Sequence, residues 1–65
     1  MAKFDPRWLV AYRKLNGWSQ RDLAEAAKVH QPQVANWESG KRTPARHNVA
    51  RLAAALGRDP EDLMS

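Results

Sequence analysis

Residues 19–40 read SQRDLAEAAKVHQPQVANWESG, with one helix start at Ser19, a second near His30 and a glycine at position 40. Only a few residues separate the two helical segments. A connection that short forces the second helix to cross the first. Crossed helices joined by a tight turn can lay one helix in the major groove of DNA while the other spans the phosphates.

Local signals set both helices. Ser19 is a cap residue, and Asp22, three positions on, is a short version of the capping-box carboxylate. Trp18 and Leu23 occupy the staple positions that fix the chain's entry angle. Leu23, Ala24 and Ala27 form the inward face, with Ala24 suited to a close helix crossing. The next helix begins after His30, with Gln31, Pro32 and Gln33 in its first turn. Pro32 is tolerated there because a first-turn N–H has no partner within the helix. Val29 and Val34 repeat the staple, Val34 and Trp37 face inward, and Gly40 ends the helix.

The same signals recur outward. Asp5-Pro6 starts a helix that runs to about Asn16, with Phe4 and Leu9 as its staple and Gly17 as its stop. Leu9 and Tyr12, joined by Trp8 and Leu15, supply its apolar side. Thr43-Pro44 leads into a helix ending at Leu56 and Gly57, with Val49, Leu52, Ala53 and Leu56 at the helical period. Asp59-Pro60 starts a short fifth helix whose Leu63 closes the core. No strand pattern appears. The expectation is all-α: five helices in one compact domain over residues 1–65.

The 65 residues sit at the lower limit of independent folding, where about 60% of the unfolded chain's surface is buried. There is no cysteine, so neither a disulfide nor a thiolate metal site supplements the core. A hydrophobic content of 43% with three Trp favours a folded chain over a disordered one. The net charge is +4, and Lys41, Arg42, Arg46, Arg51 and Arg58 fall between Ser39 and Arg58 with no acid among them. A basic segment of that kind suits a polyanion, although a solvated helix face shows the same pattern. No apolar run is long enough to span a membrane or serve as a secretory signal. A soluble, cytoplasmic, nucleoid-associated protein is expected.

With Val34 and Trp37 inward, the first turn and outer face of the third helix present Gln31, Pro32, Gln33 and Asn36. An amide carries a donor and an acceptor on one plane, which matches adenine N6 and N7 in the major groove. Charge alone would bind DNA without reading it. Amides on an exposed helix edge form a surface that can read.

The pattern S-Q-x-x-L-A-x-x-x-x-V-x-Q-x-x-V-x-x-W-E-x-G-K-R-x-P, from Ser19 to Pro44, resembles the phage repressor and Cro-like, XRE-type helix-turn-helix family. The likeness extends to the Asp59-Pro60-Glu61 segment. It implies a five-helix DNA-binding domain, transcriptional regulation, and a dimer on a partly palindromic operator, paired through the fourth and fifth helices. By position, Gln31, Asn36 and Gln33 would contact bases, with Pro32 offering apolar contact to a thymine methyl. Gln20 would touch a phosphate and brace the Gln31 amide. Lys41, Arg42 and Thr43 fall in the loop that follows the phosphate backbone, joined by Arg46, and such contacts set register without reading sequence. Ser19 would offer its hydroxyl or N–H to a phosphate. Arg13 and Glu38 match an internal salt bridge of related repressors.

Two positions depart from the family. Lys28 stands where glycine is usual in the turn, and a left-handed non-glycine residue costs about 1 kcal/mol, tolerable for a phosphate contact. His30 stands where Ser or Thr usually caps the recognition helix, and it is a weaker cap.

The aromatics Trp8, Tyr12, Trp18 and Trp37 could stack on unpaired bases, but their spacing and staple positions fit core packing. No paired carboxylates, Ser–His–acid set, metal-ligand cluster or phosphate-cradling glycines appear, so neither catalysis, a metal nor a cofactor is expected. The leading reading is a sequence-specific double-stranded DNA-binding regulator, repressor in type. One alternative is a partner-binding or antitoxin-type module using Leu56, Leu63 and Met64. Another is a basic architectural or RNA-binding protein.

Overall fold

Among the described residues the chain forms four α-helices and one 3₁₀ helix. The computed structural model describes residues 2–65, with α1 over Pro6–Leu15, α2 over Gln20–Ala27, α3 over Gln31–Glu38 and α4 over Arg46–Leu56. A 3₁₀ helix over Pro60–Leu63 follows. Every helix start except that of α4 carries a side-chain bond. Asp5 Oδ1 accepts the Arg7 N–H at 2.9 Å before Pro6 opens α1. Ser19 Oγ accepts the Asp22 N–H at 3.0 Å, and Asp22 Oδ2 accepts the Ser19 N–H at 2.9 Å, completing the box on α2. Helix α4 begins after Ala45, which has no side chain to cap it, and is entered from the buried Pro44.

These caps tie stability to acidity. The Arg7 side chain, donating to both Asp5 oxygens at 3.1 and 2.8 Å, and then the Arg7 N–H hold the Asp5 carboxyl well below the usual carboxylate range. The Ser19 N–H lowers Asp22 in the same direction. A carboxylate with a depressed folded value stabilises fully above its ordinary value of 3.8, and that stabilisation is lost as pH falls through the folded value. The urea midpoint is therefore expected to fall between about pH 5 and pH 2. An Asp5→Asn/Asp22→Asn protein is expected to be less stable at neutral pH and to lose less on acidification. Parallel acid limbs for the two proteins would remove these carboxylates as the cause.

The core draws one or more fully covered side chains from each element: Leu9, Leu23, Val34, Leu52 and Leu63. Trp37 is buried beside them. Each of the three staple pairs places one member in this core, with Phe4, Trp18 and Val29 packed against it from outside. Helix α2 packs on α3 and α4, α1 on α3, and the 3₁₀ helix on α4 and α1. Leu15 departs from expectation, being 72% exposed, and Trp8 is 44% exposed. At 3.6 residues per turn, Leu15 lies roughly 120° around α1 from Leu9, outside the buried stripe. Trp8 instead stacks on Tyr12 at 5.8 Å between ring centroids, and the Arg58 guanidinium lies 4.4 Å from the centre of the Tyr12 ring.

The fifth expected helix is a single 3₁₀ helix of four residues. Its bonds run three residues back, Asp62 N–H to Asp59 O and Met64 N–H to Glu61 O. It cannot lengthen because the chain is drawn away into an extended pairing. The Asp5 N–H takes the Leu63 carbonyl at 2.8 Å, and Lys3 and Ser65 exchange backbone bonds of 2.9 and 2.7 Å. Phe4 faces Met64 in one antiparallel bridge, too short to form a strand. No helix among the described residues is long and apolar enough to cross a membrane.

Candidate nucleic-acid interface

Three helix ends in this chain close the same way. After α1, Trp18 N–H bonds Arg13 O and Gly17 N–H bonds Lys14 O. After α4, Arg58 N–H bonds Ala53 O and Gly57 N–H bonds Ala54 O. After α2, Val29 N–H bonds Ala24 O at 3.0 Å and Lys28 N–H bonds Glu25 O at 3.3 Å. This paired closure needs a left-handed residue, normally glycine. Gly17 and Gly57 fill that slot with φ near 69°, but Lys28 fills it with φ 59° and ψ 44°. The turn thus keeps its geometry despite the lysine. Lys28→Gly is expected to raise stability by roughly 0.5–1 kcal/mol, the relief of left-handed strain less glycine's added chain entropy. An unchanged or lower urea midpoint would show that the lysine is unstrained.

The turn delivers α3 across α2. His30 precedes α3 in extended conformation and makes no side-chain cap bond. The reciprocal bond of a capping box is present, with Gln33 Oε1 accepting the His30 N–H at 3.0 Å. Val34 and Trp37 point into the core, which leaves Gln31 and Pro32 exposed and Gln33 and Asn36 partly exposed along the opposite edge.

A network of four residues holds this edge in place. Arg13 donates from Nε to Glu38 Oε2 at 2.6 Å and from Nη2 to Glu38 Oε1 at 3.0 Å. Its Nη1 reaches the Trp18 carbonyl at 2.8 Å. Both side chains are largely enclosed, at 13% and 6% exposure. Glu38, through these hydrogen bonds, raises the Arg13 value and keeps the guanidinium charged. Gln20 completes the network: its Nε2 donates to Glu38 Oε1 at 3.0 Å. The expected brace from Gln20 to Gln31 is therefore replaced by one to Glu38. The carboxylate oxygen outcompetes a neutral amide as acceptor. The network joins α1, the approach to α2, the first turn of α2 and the last turn of α3.

The loop after α3 folds back on it. Ser39 Oγ donates to the Asn36 carbonyl at 3.2 Å, the Arg42 N–H takes the same carbonyl at 3.1 Å, and the Lys41 N–H reaches Ser39 Oγ at 3.4 Å. Lys41, Arg42, Thr43 and Arg46 all have exposed side chains, as does Lys28. Ser19 is exposed too, but its N–H is already taken by Asp22, so only its hydroxyl hydrogen is open to a phosphate. Gln20 is partly exposed, with its side-chain nitrogen already shared with Glu38.

A helix pair crossing over a tight turn, an amide-bearing edge on the second helix and a basic loop pinned to that edge define a helix-turn-helix DNA-binding domain. The family model described as Helix-turn-helix matches residues 9–63, and the chain belongs to this family of XRE-type DNA-binding transcription regulators. Among solved structures, the restriction-modification controller protein C.AhdI from Aeromonas hydrophila is similar at 31% identity and a TM-score of 0.86, covering 89% of this chain and 88% of that one. A hypothetical transcription factor, NHTF, from Neisseria is similar at 29% identity and a TM-score of 0.86, over 89% and 67% of the two chains. The clp gene regulator ClgR from Corynebacterium glutamicum is similar at 28% identity and a TM-score of 0.83, over 89% and 62%. A comparison with curated protein sequences gave no match.

Proposed function

We propose that residues 1–65 act as one DNA-binding domain that represses transcription by occupying a partly palindromic operator. The first turn of α3 enters the major groove with Gln31, Gln33 and Asn36 toward base edges and Pro32 toward a thymine methyl. Ser19, Gln20, Lys28, Lys41, Arg42, Thr43 and Arg46 meet phosphates on either side. The observation that carries this reading is the Arg42 N–H bond to the Asn36 carbonyl at 3.1 Å. It keeps a charge-bearing loop one hydrogen bond from a base-reading residue, so affinity and reading are delivered together. The protein acts by binding, without a cofactor, in the cytoplasm.

Two copies binding together would match an operator with two half-sites. An apolar depression of about 620 Å³ between the paired termini and α4 suits the dimer contact. Phe4, Pro44, Val49, Pro60 and Met64 line it. Selection of bound sites from a random duplex pool tests the whole reading. The expected motif is two related half-sites about 10 base pairs apart, or a multiple of that spacing. Recovery of no motif, with binding set by salt alone, would sink it. In the same assay Lys28→Gly is expected to flatten the salt dependence by a slope of about one, the release of one phosphate contact.

A further inference from the structure

Two large apolar side chains stand exposed among the described residues, Trp8 and Leu15, and both belong to α1. They lie seven positions apart. At 3.6 residues per turn that spacing returns to within about 20° of the same direction, so both fall on one stripe. Ala11 and the half-buried Tyr12 occupy the turns between them, which places apolar residues at i, i+3, i+4 and i+7. Single apolar residues scattered over a surface are ordinary. A contiguous stripe at the helical repeat has the form of a seam that receives another helix.

Charge decides what fits the seam. Turning around α1 from the buried Leu9, the order is Tyr12, Trp8, Leu15, Ala11, Arg7 and Lys14. Arg7 is paired with Asp5, but the exposed Lys14 forms no ion pair among the described residues. On the opposite border the Arg58 guanidinium lies over the Tyr12 ring, also without a carboxylate partner among the described residues. Helix α1 contains no acid. Cations therefore flank the apolar stripe on both sides. Beside it lies a depression of about 370 Å³, lined by Asp5, Arg7, Trp8, Ala11 and Ser65, and both Asp5 oxygens there are held by Arg7.

We infer that the outer face of α1 docks an acidic amphipathic helix of a partner protein. Its apolar side lies on Trp8, Tyr12 and Leu15, and its carboxylates lie beside Lys14 and Arg58. A second copy of this chain does not fit. Whether two α1 helices run parallel or antiparallel about a two-fold axis, one cationic border meets another. A nucleic-acid duplex would satisfy the cations but leave Leu15 and Trp8 against phosphate and water. An acidic helix satisfies both. The seam shares no residue with the reading edge of α3, so the inference stands apart from the DNA-binding reading.

The probe is a synthetic amphipathic helix with leucines at i, i+3, i+4 and i+7 and glutamates along both flanks. A second peptide carries lysines in place of the glutamates. Each is titrated into isotope-labelled chain in the presence of excess random duplex, and amide shifts are followed by NMR. The glutamate peptide is expected to shift α1, residues 57–58 and the Trp8 indole, and to bind at least about tenfold more tightly than the lysine peptide. Leu15→Lys is expected to weaken the glutamate peptide about tenfold although it adds a cation. Lys14→Glu is expected to weaken the glutamate peptide and strengthen the lysine peptide. Both side chains are exposed, so both variants should melt near the wild-type temperature. Tighter binding by Leu15→Lys would reduce the contact to unspecific charge attraction and overturn the inference. So would shifts centred on α3 and its loop, or displacement of the peptide by the duplex. Shifts in α1 that follow protein concentration without peptide would assign the face to a second copy and overturn it too.

Discussion

Glu38→Gln is expected to lower stability by roughly 2–3 kcal/mol and the melting temperature by on the order of 10–20 °C. The substitution changes almost no volume. It leaves Arg13, with 13% of its side chain exposed, carrying a charge with no counter-ion, and weakens the acceptor that Gln20 shares. A domain of this length has about 3–10 kcal/mol in total, so the loss is a large fraction of it. DNA affinity is expected to fall as well, because the network fixes the first turn of α2 and the last turn of α3 relative to α1. Arg13→Met/Glu38→Leu separates the two effects. An apolar pair of similar volume restores much of the stability, since an enclosed ion pair gives up most of its attraction to desolvation. It cannot hold the Gln20 amide, so operator affinity is expected to stay low while the melting temperature recovers. A Glu38→Gln protein with wild-type melting would mean that solvent screens the pair more than its enclosure implies.

Gln31→Ala/Asn36→Ala is expected to erase most operator discrimination while leaving the fold unchanged. Each well-formed base pairing is worth about 1–3 kcal/mol, so losing two should cost on the order of a hundredfold or more in the ratio of operator to random-duplex affinity. Binding to random duplex should barely change, because its strength comes from phosphates. Stability should move by less than about 0.5 kcal/mol, since neither side chain packs in the core. Lys41→Ala/Arg42→Ala should do the reverse, weakening every duplex alike and lowering the salt slope by about two. Competition titrations at several salt concentrations measure all of these. Equal loss of operator and random binding in the amide variant would show that α3 does not read bases.

The helices were legible because their signals are local. Ser19 with Asp22, and the staples Phe4–Leu9, Trp18–Leu23 and Val29–Val34, lie three to five residues apart. Their geometry follows from helical periodicity alone. Gln33 with His30 is equally local, a glutamine at the third helical position bonding the cap residue, and could have been read from spacing. The fifth helix was misread because Asp59-Pro60 signals a start and says nothing of what stops the helix. The stop comes from residues 3–5, nearly sixty positions earlier in the chain. The exposed Leu15 is a similar case: an apolar residue on a helix is buried only if another element covers that side.

From residue order alone came the all-helical class, the crossing pair, the amide edge of α3 and the basic segment behind it. Each depends on neighbours within about one helical turn, or on the chemistry of a single side chain. The tertiary structure decided where the amides are spent. Gln20 turned to Glu38 because the helix crossing brought a carboxylate within 3.0 Å of it. The termini paired because the core drew Phe4 and Leu63 to the same end of the molecule. A side-chain hydrogen bond goes to the strongest partner within reach, and reach between distant segments exists only once the chain has folded.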